Sequence, residues 1–149
     1  MNAIASSPPE PRQSRGPLII AISLVAIVFG LLSIKEGGAV LFVDGTGRAQ
    51  AGNYVPFVVW FNFLAGFAYV VAGVGLWLKK RWAVWFATLV AGATLLAFAA
   101  LGVHIGTGGA YEQRTVIAMV LRSVVWLAIA GLAWRFVAGP HQGLKSAPR

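Results

Sequence analysis

Apolar positions fall along this chain in four long runs, separated by short clusters of charge, glycine and proline. Leu18 to Ile34 is the first run. Pro56 to Leu78, Trp82 to Val103 and Thr115 to Val137 follow, the last with Arg122 inside it. At 1.5 Å per residue the last three make helices of roughly 33–35 Å, which cover a hydrocarbon core of about 30 Å with modest tilt. Lipid offers no partner to a backbone N–H or C=O, so a crossing segment satisfies itself as a helix. Pro56 suits a first helical turn, where its missing N–H is not needed. The pattern predicts an all-α fold: a transmembrane four-helix bundle with short loops over residues 18–138. Residues 1–17, polar and rich in proline and serine, read as a disordered tail. Residues 139–149 read as a second, short polar tail.

The connections differ in length. Lys79-Lys80-Arg81 is a tight link, so the second and third spans form a helical hairpin. The first loop on the other side, residues 35–55, is longer. Ala39 to Val43 has strand-like content and Asp44-Gly45 is a turn signal, which admits a short β-hairpin over that mouth. "DGTGRAQAG" is glycine-rich but lacks the spacing and the Lys-Ser/Thr pair of a phosphate-binding loop. The N-terminal stretch resembles a signal peptide in its basic lead and apolar run. Lys35 and Glu36 interrupt the approach to a cleavage point, however, which favours an uncleaved first span.

Composition agrees with this picture. Hydrophobic residues make up 58% and charged residues 11% of the chain, against roughly 25% charged in a soluble domain. Mean hydropathy is +0.78. The net charge of +8 gathers at the ends of the runs, where it sets orientation and meets anionic headgroups, and forms no patch for nucleic acid. With the N-terminus in the cytoplasm, Arg12, Arg15, Lys79, Lys80, Arg81, Arg135, Lys145 and Arg149 lie inside, and Lys35, Arg48 and Arg114 outside. Eight against three places both termini in the cytoplasm and argues against dual topology. Tryptophans 77, 82 and 134 line the inner border, and Tyr54, Phe57 and Tyr111 the outer one. Cysteine is absent, which removes disulfides, thiolate metal sites and thiol redox chemistry.

The faces of the spans carry the candidate chemistry. Asn62, Gly66, Tyr69 and Gly73 share one face of the second span, and bulky residues cover the other. Ser23, Ala26 and Gly30 share a face of the first span, and Ala87, Ala91, Thr94, Ala97 and Leu101 a face of the third. Arg122 falls on the smaller side of the fourth span and points into the bundle, where Asn62, Tyr69 and Thr94 form its expected polar surroundings. A mid-span arginine costs roughly 2.5–3.5 kcal/mol on insertion scales. Its long stem can also lift the guanidinium toward carboxylates at the outer mouth. Glu36, Asp44, His104, Glu112 and Arg114 make up a candidate cluster there. His104 with the three acids is a weak metal-site reading, since no two ligands show a recognised spacing. His141 lies in the opposite tail, so bis-histidine haem within one chain is excluded by topology.

No catalytic constellation stands out. No carboxylate lies within a span, and Ser23, Ser33 and Ser123 have no histidine at matching depth. No cofactor and no enzyme activity are expected. The layout, with "NYVPFVVWFNFLAGFAYVVAG" and "GGAYEQRTVIAMVLRSVVW", resembles small uncharacterised bacterial four-span integral membrane proteins. The resemblance implies a fold and no activity. The Ala, Gly, Val and Arg bias fits a bacterial inner membrane. The expected role is a non-catalytic accessory, assembly or interaction subunit that presents residues 35–55 and 104–114 on the outer face. Its partners are then the bilayer and either another membrane protein or further copies of itself. One alternative is a homo-oligomeric transporter or channel subunit passing a small anionic solute by Arg122. The other is an outer-face metal-binding protein using His104.

Overall fold

Each apolar run folds as a helix in the computed structural model, which describes residues 16–43 and 45–138. The order is α1 (Gly16–Phe42), α2 (Thr46–Ala51), α3 (Pro56–Trp77), α4 (Arg81–Gly106) and α5 (Gln113–Ala133), the last running into a π-helical turn at Trp134–Ala138. The tails over 1–15 and 139–149, with His141, and the candidate cluster residue Asp44 lie outside the described residues. Four helices, α1, α3, α4 and α5 with its π turn, are long and apolar enough to cross a membrane. Their outward faces carry Leu24, Leu31, Leu64, Leu89, Leu96 and Leu121 in the open, a surface that only lipid covers at low cost. The chain is a small multi-pass membrane protein.

Local chemistry sets the ends of the helices. Val55 is extended ahead of Pro56 (φ −91°, ψ 110°), as the proline ring requires of its predecessor. At the end of α3, the N–H of Lys79 donates to the Leu76 carbonyl (2.9 Å) and the N–H of Lys80 to that of Gly75 (3.0 Å). This is a Schellman termination. It puts Lys79 at φ 53°, a left-handed conformation that costs a side-chain-bearing residue about 1 kcal/mol. The end of α4 repeats the motif: Gly108 donates to Ile105 and Gly109 to His104 (3.0 and 2.9 Å). There a glycine, Gly108, takes the left-handed position at φ 84°.

Small residues decide how the helices pack. Ser23, Ala26, Gly30, Ser33 and Gly37 are all buried along one stripe of α1, spaced three and four residues apart. Opposite them lie Gly66, Tyr69 and Gly73 of α3, also buried. A Cβ on Gly66 would stand 2.9 Å from the Gly30 carbonyl oxygen, and one on Gly73 would stand 3.0 Å from that of Ser23. The two backbones therefore run in direct contact, the arrangement that packs helices where lipid removes the hydrophobic drive. This α1–α3 contact is the most extensive; α4 packs on α5 and α3 on α4, whereas α1 touches α5 only thinly. The bundle is thus a ring with one light seam, between α1 and α5. Its interior is filled by Trp126, Tyr69, Leu76, Leu101 and Met119, all fully buried. An apolar groove of about 270 Å³ between α3 and α4 is lined by Leu64, Ala68, Phe86 and Leu89. The exposure of Leu64 and Leu89 opens it toward lipid rather than into the bundle.

The connection between α1 and α3 corrects one expectation. There is no strand among the described residues, and no β-hairpin forms: Ala39 to Phe42 continue α1. The helix extends through Lys35 and Glu36 because both side chains are exposed, while Gly37 keeps the buried stripe going against Phe63. At 27 residues, α1 is roughly 40 Å long, and the expected end at Ile34 falls more than two turns short. The chain then folds back through α2, whose Gly47 lies against the Ala39 carbonyl with no room for a Cβ (2.8 Å).

Candidate functional site

All four spans contribute a polar side chain to the interior: Ser33 from α1, Tyr69 from α3, Thr94 from α4 and Arg122 from α5, each buried. Arg122 lies on the buried face of α5, shared with Met119, Trp126, Ile129 and Ala133, and only 8% of it is exposed. Its Nη2 donates to the Ser33 hydroxyl (3.2 Å), and its guanidinium lies over the Phe29 ring (5.8 Å to the centroid). Both contacts cross the light α1–α5 seam, so the arginine is the polar bridge between those helices. A hydrogen bond to a charged group contributes about 1.5–3 kcal/mol and a cation–π contact about 0.5–1 kcal/mol, which offset much of the charge's cost in a span.

A second polar contact lies beside the first. The Tyr69 hydroxyl and Thr94 Oγ1 are 3.5 Å apart, and Thr94 donates to the Val90 carbonyl one turn back (2.8 Å). The Tyr69 ring packs on Trp126, with centroids 4.5 Å apart and planes tilted by 39°. Asn62, on the same helix, is half-buried. The hydrogen bond that Arg122 makes thus goes to Ser33, not to Asn62, Tyr69 or Thr94. Among the described residues, three buried side-chain atoms have no hydrogen-bond partner: Asn62 Oδ1, Arg122 Nε and Trp126 Nε1.

The residues of the second candidate cluster, at the loop end where α5 begins, separate into latches instead of joining in one site. Glu112 Oε1 accepts the backbone N–H of Asn53 (3.1 Å) and packs on Gly52, where a Cβ would stand 2.5 Å from that oxygen. Arg114 donates to the Gln50 carbonyl at the end of α2 (3.4 Å). His104 Nε2 lies 3.1 Å from the Ala110 carbonyl, beside Phe57 (6.2 Å between ring centroids). Glu36 and Lys35 are exposed. Asp44 is outside the described residues, and among those described no three His, Asp or Glu side chains converge on a point where a metal would sit. At the opposite end of the bundle, Trp134 Nε1 donates to Thr88 Oγ1 (2.8 Å), and Trp134 meets Trp85 edge to face (4.8 Å).

Several of these partners were not singled out from the sequence. Ser33 had a signal: it continues the spacing of Ser23, Ala26 and Gly30 by three more residues, which puts it on the buried stripe. Gln50 and Asn53 had none, because a contact between two loops has no periodicity to announce it. Neither protein-family models nor curated proteins nor solved structures offer a match to this chain.

Proposed function

We propose that this chain is a non-catalytic subunit of a membrane assembly in a bacterial inner membrane, with both termini cytoplasmic, and that it offers its outer loops to a membrane-protein partner. The observation that carries the reading is the clasp between those loops. Glu112 and Arg114 at the start of α5 hold Asn53 and Gln50, so two loops far apart in sequence form a single outer surface. The hydroxyls support the absence of catalysis. Ser23 and Ser123 each donate to a carbonyl of their own helix (2.7 and 2.8 Å), and Ser33 accepts from Arg122, so none stands beside a base. The charge asymmetry of the loops supports the orientation.

The chain lacks cysteine, so single-cysteine variants report without background. A photo-crosslinker at Gln50 is expected to capture one membrane protein in intact cells, and the same group at Leu96 on the lipid face is not. Glu112→Ala, which opens the clasp, is expected to reduce that capture several-fold. A membrane-impermeant thiol reagent should reach cysteine at Gly108 in whole cells and miss cysteine at Lys80. Purification as a lone monomer with no crosslink from Gln50 would overturn the assembly role, and inverted labelling would overturn the orientation.

A homo-oligomeric anion conductor using Arg122 is the second reading, favoured by the buried guanidinium. The filled interior puts it behind the first, since one chain offers an ion no continuous route. Its mark would be anion flux from proteoliposomes that disappears in Arg122→Ala.

A further inference from the structure

The groove of about 270 Å³ between α3 and α4 has a floor and two rims. Ala65 and Ala68 of α3 rest on the buried core, and with Ala93 of α4 they make the floor. Leu64 and Leu89 form the rims, 59% and 67% exposed. No polar side chain lines the groove. Leucine rims keep another helix's backbone off the alanines, and nothing between them can hydrogen-bond to a partner, so the features that join helices in lipid are missing. A single unbranched hydrocarbon chain fits between the rims and gains contacts on three sides, which a flat helix face does not give.

The groove also leads to charge. Trp82, Phe86, Leu89 and Ala93 follow one another at spacings of four, three and four, which puts them on one stripe of α4. Phe86 meets Trp82 edge to face (6.1 Å), and Trp82 lies against Gly75 of α3, where a Cβ would come within 2.8 Å of its ring. The apolar path therefore continues from the groove to the α3–α4 turn, where Lys79, Lys80 and Arg81 are all exposed. The described acids are remote: Glu36 precedes Gly37, which packs on Phe63, and Glu112 holds Asn53, both toward the opposite end of α3. The depth matches as well. The groove begins at Phe86, five residues past Arg81, and at Ala68, nine before Trp77, which is roughly 8–14 Å from the turn. Half of a hydrocarbon core of about 30 Å is roughly 15 Å, so an acyl chain whose headgroup sits at the turn ends inside the groove.

We propose that the α3–α4 hairpin binds one anionic phospholipid, its phosphate held by Lys79, Lys80 and Arg81 and one acyl chain laid along Trp82 into the groove. The cations select the headgroup, and the groove makes the site one for an intact lipid and not for a free phosphate.

The test uses the full chain purified in a maltoside detergent and measures retained lipid by native mass spectrometry. Dioleoylphosphatidylglycerol is expected to stay bound as one copy per chain, at concentrations where dioleoylphosphatidylcholine does not. Glycerol phosphate in excess should not displace it. Replacing both Lys80 and Arg81 by Gln should weaken retention about tenfold, whereas Lys35→Gln, which removes an exposed charge elsewhere, should leave it unchanged. Ala93→Phe and Ala68→Leu fill the groove from its two helices. Each should lower retention to the phosphatidylcholine level at an unaltered unfolding temperature without lipid, and two variants keep the test open if one fails to fold. Equal retention of the two lipids by the wild type would overturn the proposal. So would loss on charge removal together with full retention in a folded groove-filling variant, which means that the headgroup binds alone. A dimer that Ala93→Phe dissociates would overturn it too, because a second copy then covers the groove.

Discussion

At Arg122 the question is what makes a charge tolerable inside a span. The structure answers with Ser33, one hydroxyl at 3.2 Å, together with the face of Phe29. Ser33→Ala leaves a buried guanidinium short of its acceptor and is expected to destabilise the protein by about 1.5–3 kcal/mol. Ser123→Ala is the control. It is equally buried, but its hydroxyl bonds only to Met119 of its own helix, an accessory bond that α5 does not need, and its loss should cost under about 1 kcal/mol. Reversible unfolding in mixed micelles measures both; similar losses would mean that the Ser33 bond does not hold the seam. That Arg122 faces inward was legible from its neighbours at helical spacing. Its partner was not, since Asn62, Tyr69, Thr94 and Ser33 are all small-face polar residues at similar depth. Only the actual rotation of α1 against α5 chooses among them.

Among the helices, the α1–α3 pair shows how position gives one residue type opposite effects. Gly66 sits where a Cβ would meet Ile34 Cγ1 at 2.7 Å and the Gly30 carbonyl oxygen at 2.9 Å. The first neighbour can rotate away; the second is backbone and cannot. Gly66→Ala is therefore expected to push α1 and α3 apart and cost about 1–3 kcal/mol. Gly92, in the middle of α4, has nothing within 4 Å of where its Cβ would be. Gly92→Ala should be neutral or stabilising by up to about 1 kcal/mol, through helix propensity alone. The same unfolding measurement ranks them, and the reverse order would reject close α1–α3 contact. The existence of these helices was legible from the length of each apolar run, and their small faces from the three- and four-residue spacing of the small residues. The true length of α1 was not. Lys35 and Glu36 look like the end of a span when hydropathy is read linearly, yet both project outward from a helix whose buried stripe continues to Gly37. The expected strand at 39–43 failed for a related reason: in a continuing helix those residues already satisfy their backbone bonds.

For the molecule as a whole, the decisive property is what lies outside the ring. Leu96 of α4 is 74% exposed and stands ten residues from the C-terminal end of its helix at Gly106, near the middle of the crossing. If water met this face, Leu96→Arg would be a surface substitution and change stability by about 0.5 kcal/mol or less. If lipid meets it, the same change places a guanidinium in hydrocarbon with no Ser33 and no Phe29 beside it, at a cost of roughly 2.5–3.5 kcal/mol. Snorkelling relieves only part of that, because the nearest interface is several turns away. The expected outcome in lipid bicelles is a loss of about that size and a lower yield in the membrane fraction. Arg122 then serves as the internal comparison: one arginine at a similar depth is retained because the fold built contacts around it, and a second, facing outward, has none to draw on. A Leu96→Arg variant as stable as the wild type in bicelles would mean that this face is not covered by acyl chains, and the four-span arrangement would fall with it.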